Sequence, residues 1–152
     1  MSTQATTPKI DAPKIDALEV SRVFAAPRER VFRAWSSAAE LSRWFGPTPE
    51  HRTVVPEFEF RVGGRYRMEF HCKGKVNIVS GVYRENQEPE KLVFTWIWDQ
   101  PGAAETLVTL TFRDLGASTE VTVTHVGFTS VEERESHRQG WTGGLENLSK
   151  AI

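Results

Sequence analysis

The sequence predicts an α+β fold in which a curved antiparallel sheet of about seven strands is covered by a long C-terminal helix. Three observations predict this class. An alternating segment stands near the N-terminus, six further strand patterns follow between turn residues, and the last segment opens with a helix cap. A chain of 152 residues suits one domain, and a domain of that size buries roughly 70% of its unfolded surface.

Residues 1–16 are predicted to form a flexible tail before a single domain at 17–152. Two prolines interrupt this stretch and polar residues dominate it. The pentapeptide PKIDA occurs twice in succession, and a repeat this short indicates a duplicated linker. A docking motif with Ile10 and Ile15 as exposed anchors is the alternative.

One strand and two short helices are predicted next. Apolar and polar residues alternate in ALEVSRVFA, as on a half-buried strand. Pro27 suits the first position of a helix, and the apolar residues of RERVFRAW lie on one side of that helix. A second helix pattern, SAAELSRWF, ends at Gly46 and Pro47, which together form a stop signal.

Six segments in the middle of the chain show the period of two that strands have. They are EFEFRV, RYRMEFHC, KVNIVSGVYREN, KLVFTWIWD, LVTLTFR and EVTVTH. Gly63 and Gly64 predict a tight hairpin after the first, and Gly81 predicts a bulge or bend in the third. Successive strands with short turns predict an antiparallel meander with one apolar face, which needs a cover.

The last segment is predicted to supply that cover. Ser130 and Glu133 have the S-x-x-E spacing of a capping box, and the helix pattern continues to the C-terminus. Successive helical side chains point about 100° apart. The sheet-facing stripe then holds apolar residues together with a charged residue, a histidine and a glycine: Trp141, Leu145, Leu148, Ile152, Arg134, His137 and Gly144.

Three glycines interrupt this helix, each at a cost of about 1 kcal/mol relative to alanine. Gly144 is predicted to face the sheet and Gly140 to lie at the margin of the stripe. Gly143 is predicted to face away, where it permits a bend. Close packing of helix on sheet is one explanation of the inward glycines, and space for a cavity is the other. The inward Arg134 and His137 favour the cavity, because an apolar interior would leave their polar groups unpaired.

Composition excludes several classes of function. Nineteen basic residues balance twenty acidic ones, for a net charge of −1, so nucleic acid is not an expected partner. One cysteine permits no internal disulfide, which suits the cytoplasm. No apolar run reaches the length of a membrane span, and the N-terminus has no apolar signal core, so membrane insertion is not expected.

Neither a metal nor a cofactor is expected. The four histidines stand on separate elements with no metal-binding spacing, and His71 and Cys72 point to opposite faces of one strand. No nucleophile elbow or phosphate-binding glycine loop occurs. No catalytic residue is assigned, and a non-enzymatic role is favoured while the question of enzyme activity stays open.

The order of elements and several local strings resemble the helix-grip fold of the START and Bet v 1-like (SRPBCC) superfamily, and within it the AHSA1-like branch, named after the activator of Hsp90 ATPase. The strings are VSRVFAAPRERVFRAW at 20–35, LSRWFGP at 41–47, RVGGRYR at 61–67, GVYREN at 81–86, PEKLVFTW at 89–96, LVTLTF at 107–112, VTVTHVGF at 121–128 and GWTGGLENL at 140–148. The resemblance covers residues 18–152 in the family's order.

This resemblance implies a largely apolar cavity between the curved sheet and the last helix, and hence a hydrophobic small molecule, aromatic or lipid-like, as ligand. The implied lining is Trp44, Tyr66, Met68, Phe70, Trp96, Trp98, Val108, Leu110, Phe112, Val123, His125, His137, Trp141 and Gly144. Each of these residues would equally suit an ordinary core.

Two alternatives to simple ligand binding stay open. A polyketide cyclase-like or hydrolase-like enzyme would use His125 and His137, which both face the implied cavity, for proton transfer. A co-chaperone or stress-response domain would contact a chaperone such as Hsp90. The eukaryotic activator carries a further N-terminal domain, whereas only a short tail precedes the first strand here.

Overall fold

The computed structural model describes residues 15–152, and its elements follow the predicted order. They are β1 (Leu18–Phe24), α1 (Arg28–Arg33), α2 (Ala38–Trp44), β2 (Arg52–Phe58), β3 (Arg65–Cys72), β4 (Lys75–Gln87), β5 (Lys91–Trp98), β6 (Thr106–Asp114), β7 (Thr119–Val126) and α3 (Val131–Ala151). This confirms the predicted α+β helix-grip fold. In residues 15–152, no helix has the length and apolar character needed to cross a membrane.

Most of the predicted tail, including Ile10, lies outside the described residues, so the division into tail and domain stays a prediction. Ile15 is described, and its side chain is partly buried against the hydrophobic core. The alternative that made Ile15 an exposed anchor is therefore not supported, since the core already holds part of that side chain.

The seven strands form one antiparallel sheet in the order β1-β7-β6-β5-β4-β3-β2. Strands β2 to β7 make the predicted meander, and β1 pairs with β7, so that Leu18 stands opposite His125. The register shifts between Val54 and Glu57 and again between Tyr83 and Glu85. Such irregularities bend strands, which suits a sheet that curves around a helix.

The first meander strand lies earlier than its pattern predicts. Strand β2 ends at Phe58, and the chain turns through residues 59–64, where Val62 is 60% exposed. The strand was missed because it contains Pro56 and lacks clean alternation. Proline is tolerated there because β2 is an edge strand, with no neighbour to require the missing N–H.

Gly81 lies where β4 and β5 approach closely. The sequence predicts a bulge or bend at this glycine, and the register shift occurs two residues later, between Tyr83 and Glu85. A side chain at Gly81 would overlap the carbonyl oxygen of Thr95 and press on the ring of Tyr66. The Tyr66 hydroxyl donates to that same carbonyl across 2.6 Å. Glycine is therefore required at this position by contact rather than by an unusual backbone angle.

Helix α3 covers the sheet together with α1 and α2. Ser130 caps α3 by accepting from the N–H of Glu133, as the capping box predicts, while the Glu133 carboxylate accepts from the N–H of Thr129 rather than of Ser130. Trp141, Gly144, Leu145 and Leu148 of α3 are buried. The helix contacts β1 on one side and α2 on the other.

Candidate functional site

A cleft of about 420 Å³ lies between α3, one end of the sheet and the segment that follows α2. Six aromatic residues line it: Trp44, Phe45, Phe70, Trp96, Trp98 and Trp141. The rest is small or polar: Gly46, Pro47, His51, Asn77, Gln100, Glu133, Ser136, His137, Gly140 and Gly144. Asn77, Gln100 and Ser136 are exposed, so the polar groups stand at the mouth of the cleft and the rings stand deeper.

The aromatic walls hold one another in place. Phe45 packs edge-on against Trp141, with ring centroids 5.7 Å apart, and stacks on Phe70 at 5.9 Å. Trp96 meets Trp98 edge-on at 5.5 Å. The indole N–H of Trp44 donates to the carbonyl of Ala34 across 3.0 Å. These contacts leave little rotational freedom, so the walls are formed before any ligand arrives.

Half of the residues that the sequence nominated line this cleft. They are Trp44, Phe70, Trp96, Trp98, His137, Trp141 and Gly144. The other half are buried in the protein core and do not line the cleft: Tyr66, Met68, Val108, Leu110, Phe112, Val123 and His125. The resemblance had implied a cavity along the whole apolar face of the sheet, and the structure narrows it to one end.

Side chains of α1 and of the residues just after it explain why the cleft occupies only one end of the apolar face. Phe32 packs against Phe112 with ring centroids 5.0 Å apart and against Phe60 at 5.9 Å. Trp35 also reaches Phe112, at 6.2 Å. Tyr66 joins this packed half through Tyr83, at 5.6 Å. Protein side chains therefore fill the part of the apolar face that lies under α1.

His125 is fully buried and both of its ring nitrogens are hydrogen-bonded. The Trp141 indole can only donate, and it donates to Nδ1 across 3.0 Å, so Nδ1 carries no proton. Nε2 lies 2.7 Å from the Thr106 hydroxyl, which itself donates to the carbonyl of Trp96 across 3.0 Å. Nε2 therefore carries the proton and donates to Thr106. Burial, with a smaller contribution from nearby His137, lowers the pKa of His125 to about 3, so the ring is neutral.

His137 has a similar partner but the opposite tautomer. The Trp98 indole donates to its Nε2 across 2.9 Å, so the proton lies on Nδ1, which donates to the carbonyl of Glu133 at 2.8 Å. The rings of His125 and His137 meet edge-on at 5.2 Å. Each of these two histidines thus accepts from one tryptophan. His137 lines the cleft, and His125 does not.

The three glycines of α3 receive the segment that follows α2. A side chain at Gly143 would overlap the carbonyl oxygen of Pro47. A Cβ at Gly144 would lie 3.4 Å from the Gly46 oxygen, and one at Gly140 would meet only the Cβ of Pro47, at 4.0 Å. The prediction that Gly143 lies on an uncovered outer face of the helix is wrong, while the bend at this glycine stays a prediction. The helix is covered on a second side, by a loop, and Gly143 lies under it.

Charged groups near the helix start are arranged differently from the prediction too. Arg134 does not border the cleft; its Nε forms an ion pair with Glu135 at 2.9 Å. A second cavity, of about 290 Å³, adjoins the cleft and shares Trp44, Phe45 and His51 with it. Its remaining lining includes Arg43 and Lys150. In residues 15–152, no cluster of three or more His, Cys, Asp or Glu side chains could hold a metal ion.

Comparison with known proteins identifies the family and the fold. A family model described as "Activator of Hsp90 ATPase homolog 1-like protein" matches residues 25–152. The chain belongs to this family. Among curated proteins, none matches the AHSA1-like chain.

Solved structures share the fold of this AHSA1-like protein. A protein from Chromobacterium violaceum is 28% identical, with a TM-score of 0.83 over 90% of this chain and 96% of that one. An AHSA1 protein from Silicibacter pomeroyi is 23% identical, with a TM-score of 0.78 over 90% and 96%. DynU16, a protein of the dynemicin biosynthetic locus, is 19% identical, with a TM-score of 0.74 over 90% of this chain and 46% of that one.

Sequence reasoning missed much of the polar half of this AHSA1-like cleft. The residues not nominated are Gly46, Pro47, His51, Asn77, Gln100, Glu133 and Ser136, whereas Phe45 and Gly140 were expected beside the cavity. One signal was available for the loop: Gly140, Gly143 and Gly144 are spaced by three and four residues, which places them on one side of a helix. Glycines on one side allow a close backbone approach, here by Gly46 and Pro47. Asn77 and Gln100 carry no comparable signal, since Asn77 is one residue of strand β4 and Gln100 lies in the turn after β5.

Proposed function

We propose that this protein binds a small aromatic or otherwise apolar molecule in the cleft between α3, the sheet and the loop after α2. The observation that carries the proposal is a cleft of about 420 Å³ with six aromatic walls and polar groups at its mouth. Ligand sites are typically clefts of about 300–1,000 Å³ with mainly apolar and aromatic linings and a few polar groups. The volume of this cleft lies in that range, and its lining combines aromatic side chains with a few polar groups.

The fixed positions of the rings support binding of a flat molecule. Rings such as Phe45 and Trp141 are already held by edge-to-face contacts, so binding costs little side-chain entropy. Burial of apolar ligand surface is worth about 25 cal/mol per Å². A rigid aromatic ligand loses less conformational entropy than a flexible acyl chain, which favours the aromatic class within this proposal.

The histidines support a binding role over proton transfer. Both ring nitrogens of His125 and of His137 are taken up by protein partners. A general base needs a free nitrogen within reach of its substrate. The enzyme alternative thus gains no support from these residues. A chaperone partner stays a prediction from the family resemblance, and no feature of residues 15–152 favours it over the cleft.

Indole N–H resonances provide the test. Four of the five tryptophans line the cleft, and Trp35 does not. Titration with 2-naphthylmethanol, followed by two-dimensional NMR, should shift the N–H signals of Trp98 and Trp141 most. Trp35 serves as the internal reference, with a smaller shift expected.

Two variants of α3 make the test specific. Gly140→Leu places a side chain in the open space of the cleft, because only Pro47 Cβ stands near that position, at 4.0 Å. Gln139→Leu adds the same side chain at an exposed neighbouring position outside the cleft. We expect loss of probe binding in Gly140→Leu and normal binding in Gln139→Leu. Equal binding by both folded variants would contradict the proposal.

A further inference from the structure

We propose that the cleft selects organic cations, such as aromatic ammonium compounds, over carboxylates of the same size. This inference rests on the proposed function and names the ligand class more narrowly. It comes from the side chains that line the cleft. They include several aromatic rings and one carboxylate that has no counter-charge.

Among residues 15–152, the cleft is lined by one carboxylate, that of Glu133, and by no lysine or arginine. Its carboxylate forms no ion pair with any described residue. Its Oε1 accepts from the Thr129 N–H at 2.9 Å and from the Thr129 hydroxyl at 3.3 Å, so neutral groups hold it in place. The carboxylate therefore keeps its negative charge available to a ligand at the mouth.

The aromatic walls add to the same preference. The face of an aromatic ring carries negative potential and attracts cations, most strongly for tryptophan. Four tryptophans line the cleft. His137 adds no positive charge, because its Nε2 accepts from Trp98 and its Nδ1 proton goes to a carbonyl.

The nearby lysine and arginine side chains lie outside the lining of the cleft. Arg43 and Lys150 line the adjoining cavity and not the cleft. Arg43 pairs with Glu40 at 3.2 Å, and Lys150 lies 3.9 Å from Glu146. A carboxylate inside the cleft would thus meet Glu133 and the aromatic rings with no lysine or arginine in the lining. Burial of an anion without a partner is costly.

Three probes with one naphthalene body test the selection. They are trimethyl(2-naphthylmethyl)ammonium, 2-naphthylmethanol and 2-naphthoate, which carry positive, zero and negative charge. We expect the cation to bind most tightly and the anion most weakly. The Kd of the two should differ by about tenfold or more, the factor that about 1.4 kcal/mol produces.

The variant Glu133→Gln tests whether the carboxylate is the source of the preference for cations. Glutamine serves in capping boxes as glutamate does, and its amide oxygen can accept from Thr129. Glu132→Gln removes a charge from the same helical turn at an exposed position outside the cleft. We expect Glu133→Gln to weaken binding of the cation several-fold more than it weakens binding of 2-naphthylmethanol, and Glu132→Gln to change neither.

The outcomes separate the inference from the proposed function. Tighter binding of 2-naphthoate, or equal binding of all three probes, would overturn the selection and leave the binding function in place. The same holds if Glu132→Gln reduces cation binding as much as Glu133→Gln. Failure of all three probes to bind would overturn the proposed function and the inference with it.

Discussion

The indole N–H of Trp141 donates to Nδ1 of His125 across 3.0 Å, at a place where the histidine is wholly buried. The same histidine reaches the Thr106 hydroxyl at 2.7 Å, and Thr106 donates to the carbonyl of Trp96. One chain of hydrogen bonds thus joins α3 to β7, β6 and β5. It fixes the tautomer of His125 and holds Trp141, a wall of the cleft, against the sheet.

Replacement of tryptophans by phenylalanine should separate the contribution of the Trp141–His125 hydrogen bond to stability from the contribution of packing. Trp141→Phe leaves the buried Nδ1 of His125 without a donor, whereas Trp96→Phe removes an indole nitrogen that is buried without a partner among the described residues. Both changes remove the same volume. We expect the free energy of unfolding, measured in urea, to fall by about 1–3 kcal/mol more for Trp141→Phe. Equal losses would show that the bond adds nothing to stability.

His125 should make stability fall in mild acid. Burial lowers its pKa to about 3 in the folded protein, while an exposed histidine has a pKa near 6.5. Below about pH 6.5 the unfolded chain takes up a proton that the folded protein does not. Stability therefore falls by up to about 1.4 kcal/mol per pH unit until pH approaches 3.

The variant His125→Gln isolates this effect, since its amide can accept from Trp141 and donate to Thr106 without titrating. Between pH 7 and pH 5 we expect the wild type to lose about 2 kcal/mol more of its unfolding free energy than the variant does. Urea denaturation at several pH values measures both. Parallel pH profiles would contradict the assignment of His125 as a buried neutral ring.

Two glycines of α3 should respond to alanine in opposite directions. Gly140 has room for a methyl group, so Gly140→Ala should raise the free energy of unfolding by about 1 kcal/mol through helix propensity. At Gly143 a methyl group would overlap the carbonyl oxygen of Pro47. Gly143→Ala should lower stability by about 1–3 kcal/mol, as overpacking does. Thermal denaturation of both variants measures this, and a gain in stability at Gly143 would show that the loop does not rest on the helix.

The fold could be predicted because its elements carry long periodic patterns and clear stop signals. Alternation also predicted which strand residues face α3, but it cannot give the position along the strand where side chains from other elements arrive. Tyr66 and Phe70 share one face of β3; Phe70 lines the cleft, while Tyr66 packs against Tyr83. The difference depends on where α1 and the residues just after it place Phe32 and Trp35, which is tertiary information.

The glycines show a second limit of pattern reasoning. A helical projection with one buried stripe places Gly143 on the outside. In the structure α3 has two covered sides, one against the sheet and one against Gly46 and Pro47, and the side-chain amide of Asn147 donates to the Gly46 carbonyl across 3.0 Å. A loop that contacts a helix leaves no apolar periodicity, so this side of α3 could not be read as buried.

A crystal structure of the protein with 2-naphthylmethanol tests the central claim most directly. We expect the naphthalene rings to lie in the cleft in contact with Phe45, Trp98 and Trp141, with the loop at Gly46 and Pro47 still seated on the glycines of α3. A cleft filled by its own side chains, with the probe absent or bound elsewhere, would contradict the account.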